Sequence, residues 1–272
     1  MHADSISPGV LKSEDEHRRE ICTAGRWIHN RAFVASTDGN ISVRLDSRRI
    51  LTSPTGMSKG LMVPDDLVIT DLKGRKLSGR REASSELAMH LLIYNRRPDV
   101  HAVCHAHPPF ATAHAAAGIA LDKALLSELV IALGFIPIAK YGTPGTPELS
   151  DALEPLVQHF DAILLANHGV VTCGPDLLTS FFRMETVEHF AHVSLVTELL
   201  GKQVLLSSRD VEKLLAARAR YGTTTASTVT PGCPVTRDSA QDAADKPERI
   251  SVTREELEAL IEEAVRKDRA HR

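Results

Sequence analysis

Aromatic residues make up only 4% of this 272-residue chain, with a single tryptophan. That scarcity argues against a platform for stacking nucleobases. Neither sign of charge dominates: 32 Lys and Arg stand against 35 Asp and Glu, for a formal net charge of −3. A chain so close to neutral has no bulk electrostatic attraction to nucleic acid or to an anionic membrane. The four cysteines (Cys22, Cys104, Cys173 and Cys233) are widely spaced and form no CxxC pair. A disulfide framework is therefore not expected, and a reducing cytosol is the expected compartment. Long apolar runs are also missing. The longest, residues 124–139, is interrupted by Ser127 and Glu128 and is too short and too polar to span a membrane. The opening MHADSISPG runs straight into charged residues, so no signal peptide is expected.

What remains is ordinary globular composition, 43% apolar and 25% charged, together with thirteen histidines. Helical spacing of Ile21, Ala24, Ile28 and Ala32 predicts a helix over residues 14–34, opened by a Ser13/Glu16 capping box. A turn at Asp38-Gly39-Asn40 leads into short strand-like runs at 41–45, 49–52 and 67–71. Ser84 is the natural cap of a second helix, which stops before Pro98. A strand over 100–107, a helix over 109–117, a strand over 135–139, a helix over 147–160, a strand over 162–166 and a long helix over 176–200 follow. This alternation predicts a layered α/β or α+β domain with a covered sheet, and the short connections predict some antiparallel pairing. The character changes after residue 221. Residues 222–249 hold no Leu, Ile or aromatic residue and read as a flexible linker. Residues 250–272 read as an amphipathic helix, with a Thr253/Glu256 capping box and Leu257, Leu260, Ile261, Ala264 and Val265 on one face. The organisation is thus a domain over 1–221, a linker over 222–249 and a helix over 250–272.

Three histidines point to chemistry. His105 and His107 are i and i+2 in a strand and share a face, where two imidazoles can seat a metal. The alternative is that the pair simply ends a strand at solvent. His168, in AILLANHG, is delivered by an apolar strand to its end, with Gly169 permitting a sharp turn. Three imidazoles leave a coordination position open, the pattern of a catalytic Zn²⁺ site. Ser84-Ser85-Glu86 reads either as a plain helix start or as a functional cluster. Hydroxyls at a helix N-terminus bind an anion such as phosphate, and a carboxylate there can take a proton from carbon, provided a partly dry site raises its pKa. The turns Asp38-Gly39-Asn40 and Thr52 to Gly56 can complete the anion seat. His189 and His192 are i and i+3 on the long helix and form a weaker candidate pair.

The ordered series GNIS (39–42), LTSPTGMS (51–58), ASSELAMHLLIY (83–94), HAHP (105–108), YGTPGT (141–146) and ANHG (166–169) resembles the class II aldolase/adducin family. That family includes zinc-dependent fuculose-phosphate and rhamnulose-phosphate aldolases and ribulose-phosphate 4-epimerase. The resemblance covers about residues 14–221. It implies a three-layer α/β/α sandwich around a mixed, largely antiparallel sheet, in a homotetramer with sites at subunit boundaries. It implies one Zn²⁺ per subunit on His105, His107 and His168, and Glu86 as the proton-transfer carboxylate. Gly39, Asn40, Thr55, Gly56, Ser84 and Ser85 would hold the substrate phosphate. The implied reaction is cleavage of a ketose 1-phosphate through an enediolate to dihydroxyacetone phosphate and a short aldehyde. The same scaffold also supports a sugar-phosphate 4-epimerase, or a decarboxylase or dehydratase of a phosphorylated sugar acid. A non-catalytic adducin-like assembly protein would show a degraded metal set. One departure stands out. The segment LLSELVIALG lacks the tyrosine acid of the fuculose-phosphate aldolases and carries Glu128 near that place. Tyr221 matches a second family tyrosine, from the C-terminal tail, or is a packing residue at the end of the domain. The linker and final helix resemble the encapsulation peptides that dock cargo enzymes to bacterial microcompartment shells; the alternative is a helix packed on its own tetramer. The expected partners are therefore a phosphorylated sugar, copies of the chain and shell proteins, with no nucleic acid and no membrane.

Overall fold

A computed structural model describes residues 12–221. The expected linker (222–249), the expected helix (250–272) and the Tyr221 side chain lie outside the described residues. The first helix, α1 (Glu14–Asn30), begins with the expected capping box. Ser13 Oγ accepts the Glu16 N–H at 3.3 Å, and the Glu16 carboxylate accepts the Ser13 N–H at 2.7 Å. It stops four residues before the expected end. Ala32 turns left-handed (φ 56°), and the Phe33 N–H bonds back to the Ile28 carbonyl. This closes the helix in the manner of a Schellman motif without a glycine.

Eight strands form one sheet: β1 (Asn40–Arg44), β2 (Arg49–Thr52), β3 (Val68–Asp71), β4 (Lys76–Ser78), β5 (Ala102–Ala106), β6 (Ile138–Ala139), β7 (Ala162–Leu165) and β8 (Gly169–Gly174). Their spatial order is β4-β3-β2-β1-β5-β8-β7-β6. Every neighbouring pair is antiparallel except β6 with β7, so the sheet is mixed and largely antiparallel, as expected. The remaining helices are α2 (Leu87–Arg96), α3 (Pro109–Ala116), α4 (Ser127–Ala132), α5 (Pro147–Val157), α6 (Leu177–Leu199) and α7 (Ser208–Ala217).

Period-two alternation along β5 assigns the two faces. Ala102, Cys104 and Ala106 join the apolar core beneath α1, α3 and α6, which holds Ile21, Ile28, Phe181, Met184, Val187 and Phe190. Burying each large apolar side chain there stabilises the domain by about 1.5–3 kcal/mol. Val103 and His105 face the other way, toward α2. On that side Ile93 of α2 and Val157 of α5 meet Ile163, Val171 and Cys173. Helices therefore cover both faces of the sheet, which is the α/β/α sandwich.

Three further local expectations differ from the structure. The second helix starts at Leu87, not after a Ser84 cap. The Leu87 N–H bonds to the Ser84 carbonyl, and Ser84 Oγ accepts the Glu86 N–H instead, so residues 84–86 form a tight turn before the helix. The strand expected over 135–139 contracts to its last two residues, β6. Gly169 makes no sharp turn. The left-handed residue is Asn167 (φ 54°), and Gly169 opens β8 because a Cβ there would lie 2.5 Å from the His107 ring. No helix among the described residues is long and apolar enough to cross a membrane.

Candidate metal centre

Sheet register builds the site. Asn40 at the start of β1 lies opposite His105 near the end of β5, and His105 lies opposite Val171 of β8. The His105 Nδ1–H donates to the Val170 carbonyl at 2.9 Å. That bond sets the tautomer and leaves the Nε2 lone pair facing the site. His107 follows β5 directly, with its N–H on the Phe33 carbonyl at 2.8 Å. Behind it the first turn of α3 is tied to α6. The Glu188 carboxylate accepts the N–H groups of Phe110 and Ala111 at 3.0 and 2.8 Å, satisfying two donors that the helix cannot. His107 Nδ1 stands 3.5 Å from the Asp38 carboxylate, which orients its Nε2 inward. His168 enters from the β7–β8 connection.

These three histidines are the group among the described residues whose ligand atoms fit a metal, all within 4.8 Å of one another. His105 Nε2 and His107 Nε2 are 3.1 Å apart. Glu86 joins them, with Oε2 3.3 Å from His105 Nε2 and Oε1 3.2 Å from His168 Nε2. Glu86 Oε1 and His168 Nδ1 are buried without a hydrogen-bond partner. Lone pairs and carboxylate oxygens thus converge with too few hydrogens between them, which is costly unless a cation is shared. Three imidazoles beside a carboxylate suit Zn²⁺ well. Burial favours the ligand form of the rings: it lowers the His107 pKa and, with the nearby His105, lowers that of His168 to about 4.

The expectation that Glu86 titrates high is not met. Burial pushes its carboxyl up, but the Asn40 amide N–H and, in the metal-free chain, protons carried by the His105 and His168 rings outweigh that and hold it well below the usual carboxylate range. It rests as an anion, suited to accept a proton.

The candidate phosphate residues fall into two groups. The Pro54–Ala83 bridge sets the turn holding Thr55 and Gly56 beside Ser84 and Ser85, and the Thr55 N–H bonds to the Glu82 carbonyl. Gly145, in the YGTPGT segment, approaches Ser85 from the other side. Gly39 and Asn40 lie on the metal side. Gly39 (φ 72°) leaves no room for a Cβ, which would meet the His105 carbonyl at 2.8 Å. The Asn40 side chain is buried and committed at both ends: Nδ2 donates to Glu86 Oε2 at 2.9 Å, and Oδ1 meets His90 Nε2 at 2.5 Å.

Two residues of this neighbourhood escape sequence reasoning. His90 is fully buried one helical turn after Glu86, and the i, i+4 spacing in ELAMH was the available signal. Lys59 is buried as well, and its ammonium donates to the Thr37 and Met57 carbonyls at 2.8 and 2.5 Å. It thereby ties the turn before Gly39 to the turn after Gly56. Burial lowers its pKa to about 8. Nothing in the sequence separates it from a surface lysine. His189 and His192 are exposed, and His192 stacks on Phe110 at 3.9 Å. Glu128 is exposed on α4 and accepts the hydroxyl of Ser127 at 3.1 Å.

Residues 19–195 match the family described as the Class II Aldolase and Adducin N-terminal domain, and the chain belongs to that family. It is similar to the 5-deoxy-D-ribulose 1-phosphate aldolase of Bacillus thuringiensis serovar kurstaki, 32% identical over 209 residues that cover 76% of this chain and 97% of that protein. It is also similar to the 3-oxo-tetronate 4-phosphate decarboxylase of Haemophilus influenzae, 33% identical over 196 residues that cover 70% and 91%. Among solved structures, an L-fuculose 1-phosphate aldolase superposes with a TM-score of 0.70 at 29% identity, covering 76% of this chain and 98% of that one.

Proposed function

We propose that this enzyme is a zinc-dependent class II aldolase that cleaves a ketose 1-phosphate of the fuculose, rhamnulose or 5-deoxyribulose type. Its products would be dihydroxyacetone phosphate and a short aldehyde. The observation that carries the proposal is the convergence of His105, His107 and His168 on the buried carboxylate of Glu86. A Zn²⁺ ion on the three histidines, one per subunit, would supply Lewis-acid stabilisation of the negative charge that develops on the substrate oxygens. Glu86 handles the proton. Its Oε2 is occupied by Asn40, and Oε1 is the oxygen without a partner, so Oε1 is where a proton is given to the product carbon in cleavage and taken from it in the reverse, condensation direction. Thr55, Gly56, Ser84 and Ser85, with the backbone at Gly39 and Asn40, hold the phosphate. Anchoring that remote group fixes the reacting carbon beside the carboxylate. Tyr221 is proposed, on the family resemblance, to take the proton of the substrate hydroxyl as it becomes the aldehyde oxygen, balancing the proton Glu86 gives to carbon, and to return it in condensation. A homotetramer is proposed on the same ground.

A second activity is supported by the similarity to the tetronate decarboxylase. Loss of carbon dioxide from a phosphorylated 3-oxo acid develops charge on a carbonyl oxygen next to the departing carbon, and the same metal seat would stabilise it. The test is a screen of fuculose, rhamnulose, ribulose and 5-deoxyribulose 1-phosphates and a 3-oxo-tetronate 4-phosphate. Release of dihydroxyacetone phosphate supports the aldolase; carbon dioxide from the acid alone replaces it with the decarboxylase. For residues 250–272 we propose docking to a microcompartment shell, on the amphipathic pattern alone. A reporter carrying 250–272 should co-localise with shells, and a diffuse reporter in shell-forming cells would remove the proposal.

A further inference from the structure

Behind Glu86 a column of polar side chains runs into the α2 face of the sheet. Asn40 is 2% exposed, Tyr94 is 1% exposed, and Ser42 and His90 are fully buried. The contacts are consecutive: Glu86 Oε2 to Asn40 Nδ2 at 2.9 Å, Asn40 Oδ1 to His90 Nε2 at 2.5 Å, His90 Nδ1 to Ser42 Oγ at 2.6 Å, and Ser42 Oγ to the Tyr94 hydroxyl at 2.9 Å. An apolar column would fill this space at less cost, because each buried polar group must find its partner.

The chemistry of the first member fixes the direction of the rest. A carboxylate only accepts hydrogen bonds, so the Asn40 amide must present its NH₂ to Glu86. Its oxygen then faces His90 and needs a donor, so the proton of the imidazole sits on Nε2. Nδ1 of that neutral ring carries a lone pair, and the Ser42 hydroxyl must donate to it. Ser42 Oγ is then free to accept from Tyr94. The opposite direction would set the Asn40 oxygen 2.9 Å from a Glu86 oxygen, acceptor against acceptor.

We infer that His90 is a positioning residue for the proton-transfer carboxylate, held as the Nε2–H tautomer in a one-way relay from Tyr94 through Ser42, His90 and Asn40 in which each donor points toward Glu86. The relay clamps Oε2 and turns Oε1 toward the imidazole cluster. It acts through Asn40 and touches neither substrate nor metal. Its catalytic consequence rests on the proposed role of Glu86, whereas the tautomer does not.

The test has two arms on the full-length protein. The first is long-range ¹H–¹⁵N correlation of the histidine rings at neutral pH, with His90 assigned by its loss in His90→Gln. A neutral ring protonated at Nε2 is expected; an Nδ1–H tautomer or an imidazolium overturns the relay. The second arm is exchange of the carbon-bound protons of dihydroxyacetone phosphate with deuterium oxide by zinc-loaded enzyme. His90→Leu should slow exchange about ten- to a hundredfold, with unchanged affinity for dihydroxyacetone phosphate. The glutamine variant, whose amide reproduces the Nε2–H donor, should recover to within about threefold of wild type. Exchange at the wild-type rate in His90→Leu overturns the positioning role. Should the leucine variant not fold, Ser42→Ala takes its place, and wild-type exchange there is equally fatal. Wild-type enzyme that exchanges no protons counts against the proposed function, and the tautomer then decides the relay by itself.

Discussion

His105 and His107 bring their Nε2 atoms to 3.1 Å, and each ring has its Nδ1 turned outward, one to the Val170 carbonyl and the other toward Asp38. Two lone pairs this close repel unless a cation is shared. Purified protein is therefore expected to hold one divalent cation per chain by elemental analysis. Chelation should lower the thermal midpoint, and added Zn²⁺ should restore it by mass action, by about 3 kcal/mol at a hundredfold excess over the dissociation constant. A chelated protein that neither loses stability nor regains it with Zn²⁺ would remove the metal assignment.

Gly169 should be intolerant of any side chain. A Cβ there would lie 2.5 Å from the His107 ring and 2.6 Å from the Ala106 carbonyl. In Gly169→Ala the ring or the strand must move. We expect a loss of about 1–3 kcal/mol in stability. Zinc affinity should fall about ten- to a hundredfold, the scale seen when a ligand is disoriented. Unchanged zinc affinity in a folded variant would show that His107 is not held by this contact.

His90 gives the apoprotein a defined acid sensitivity. Burial lowers its pKa to about 3, against about 6.5 when unfolded. Between these values the unfolded chain binds a proton that the folded chain does not. Stability is therefore full above pH 6.5 and is lost as pH falls toward 3. At pH 4 the loss amounts to roughly 3 kcal/mol, and His90→Gln should be spared it. Denaturant titrations of both apoproteins at pH 7 and pH 4 measure the difference. Parallel losses in the two would contradict a neutral, buried His90.

Much of the site was legible because its signals are local. Period-two alternation paired His105 with His107, and an apolar strand run delivered His168. The capping box, the long α6 and most strands fell within a residue or two of expectation for the same reason. β8 was missed: only three residues separate it from β7, and it has a glycine at each end, so GVVTCG reads as connection. The start of α2 was misplaced because Ser84 has the right side chain for a cap but spends it on the Glu86 N–H. His90 and Lys59 stayed hidden for a deeper reason. Their polarity argues for the surface, and their burial depends on partners contributed by β1 and the turns at 37 and 57. Only the assembled sheet brings those together.

The most direct measurement is turnover of a ketose 1-phosphate by the zinc-loaded enzyme and by Glu86→Gln, with dihydroxyacetone phosphate and aldehyde quantified together. Equimolar release of both is expected from wild type. The glutamine variant, which still fits beside Asn40 but cannot take a proton, should be slower by about a hundredfold or more while keeping its metal. Wild-type rates from Glu86→Gln, or no aldehyde from any ketose 1-phosphate alongside carbon dioxide from a 3-oxo acid, would contradict the aldolase assignment.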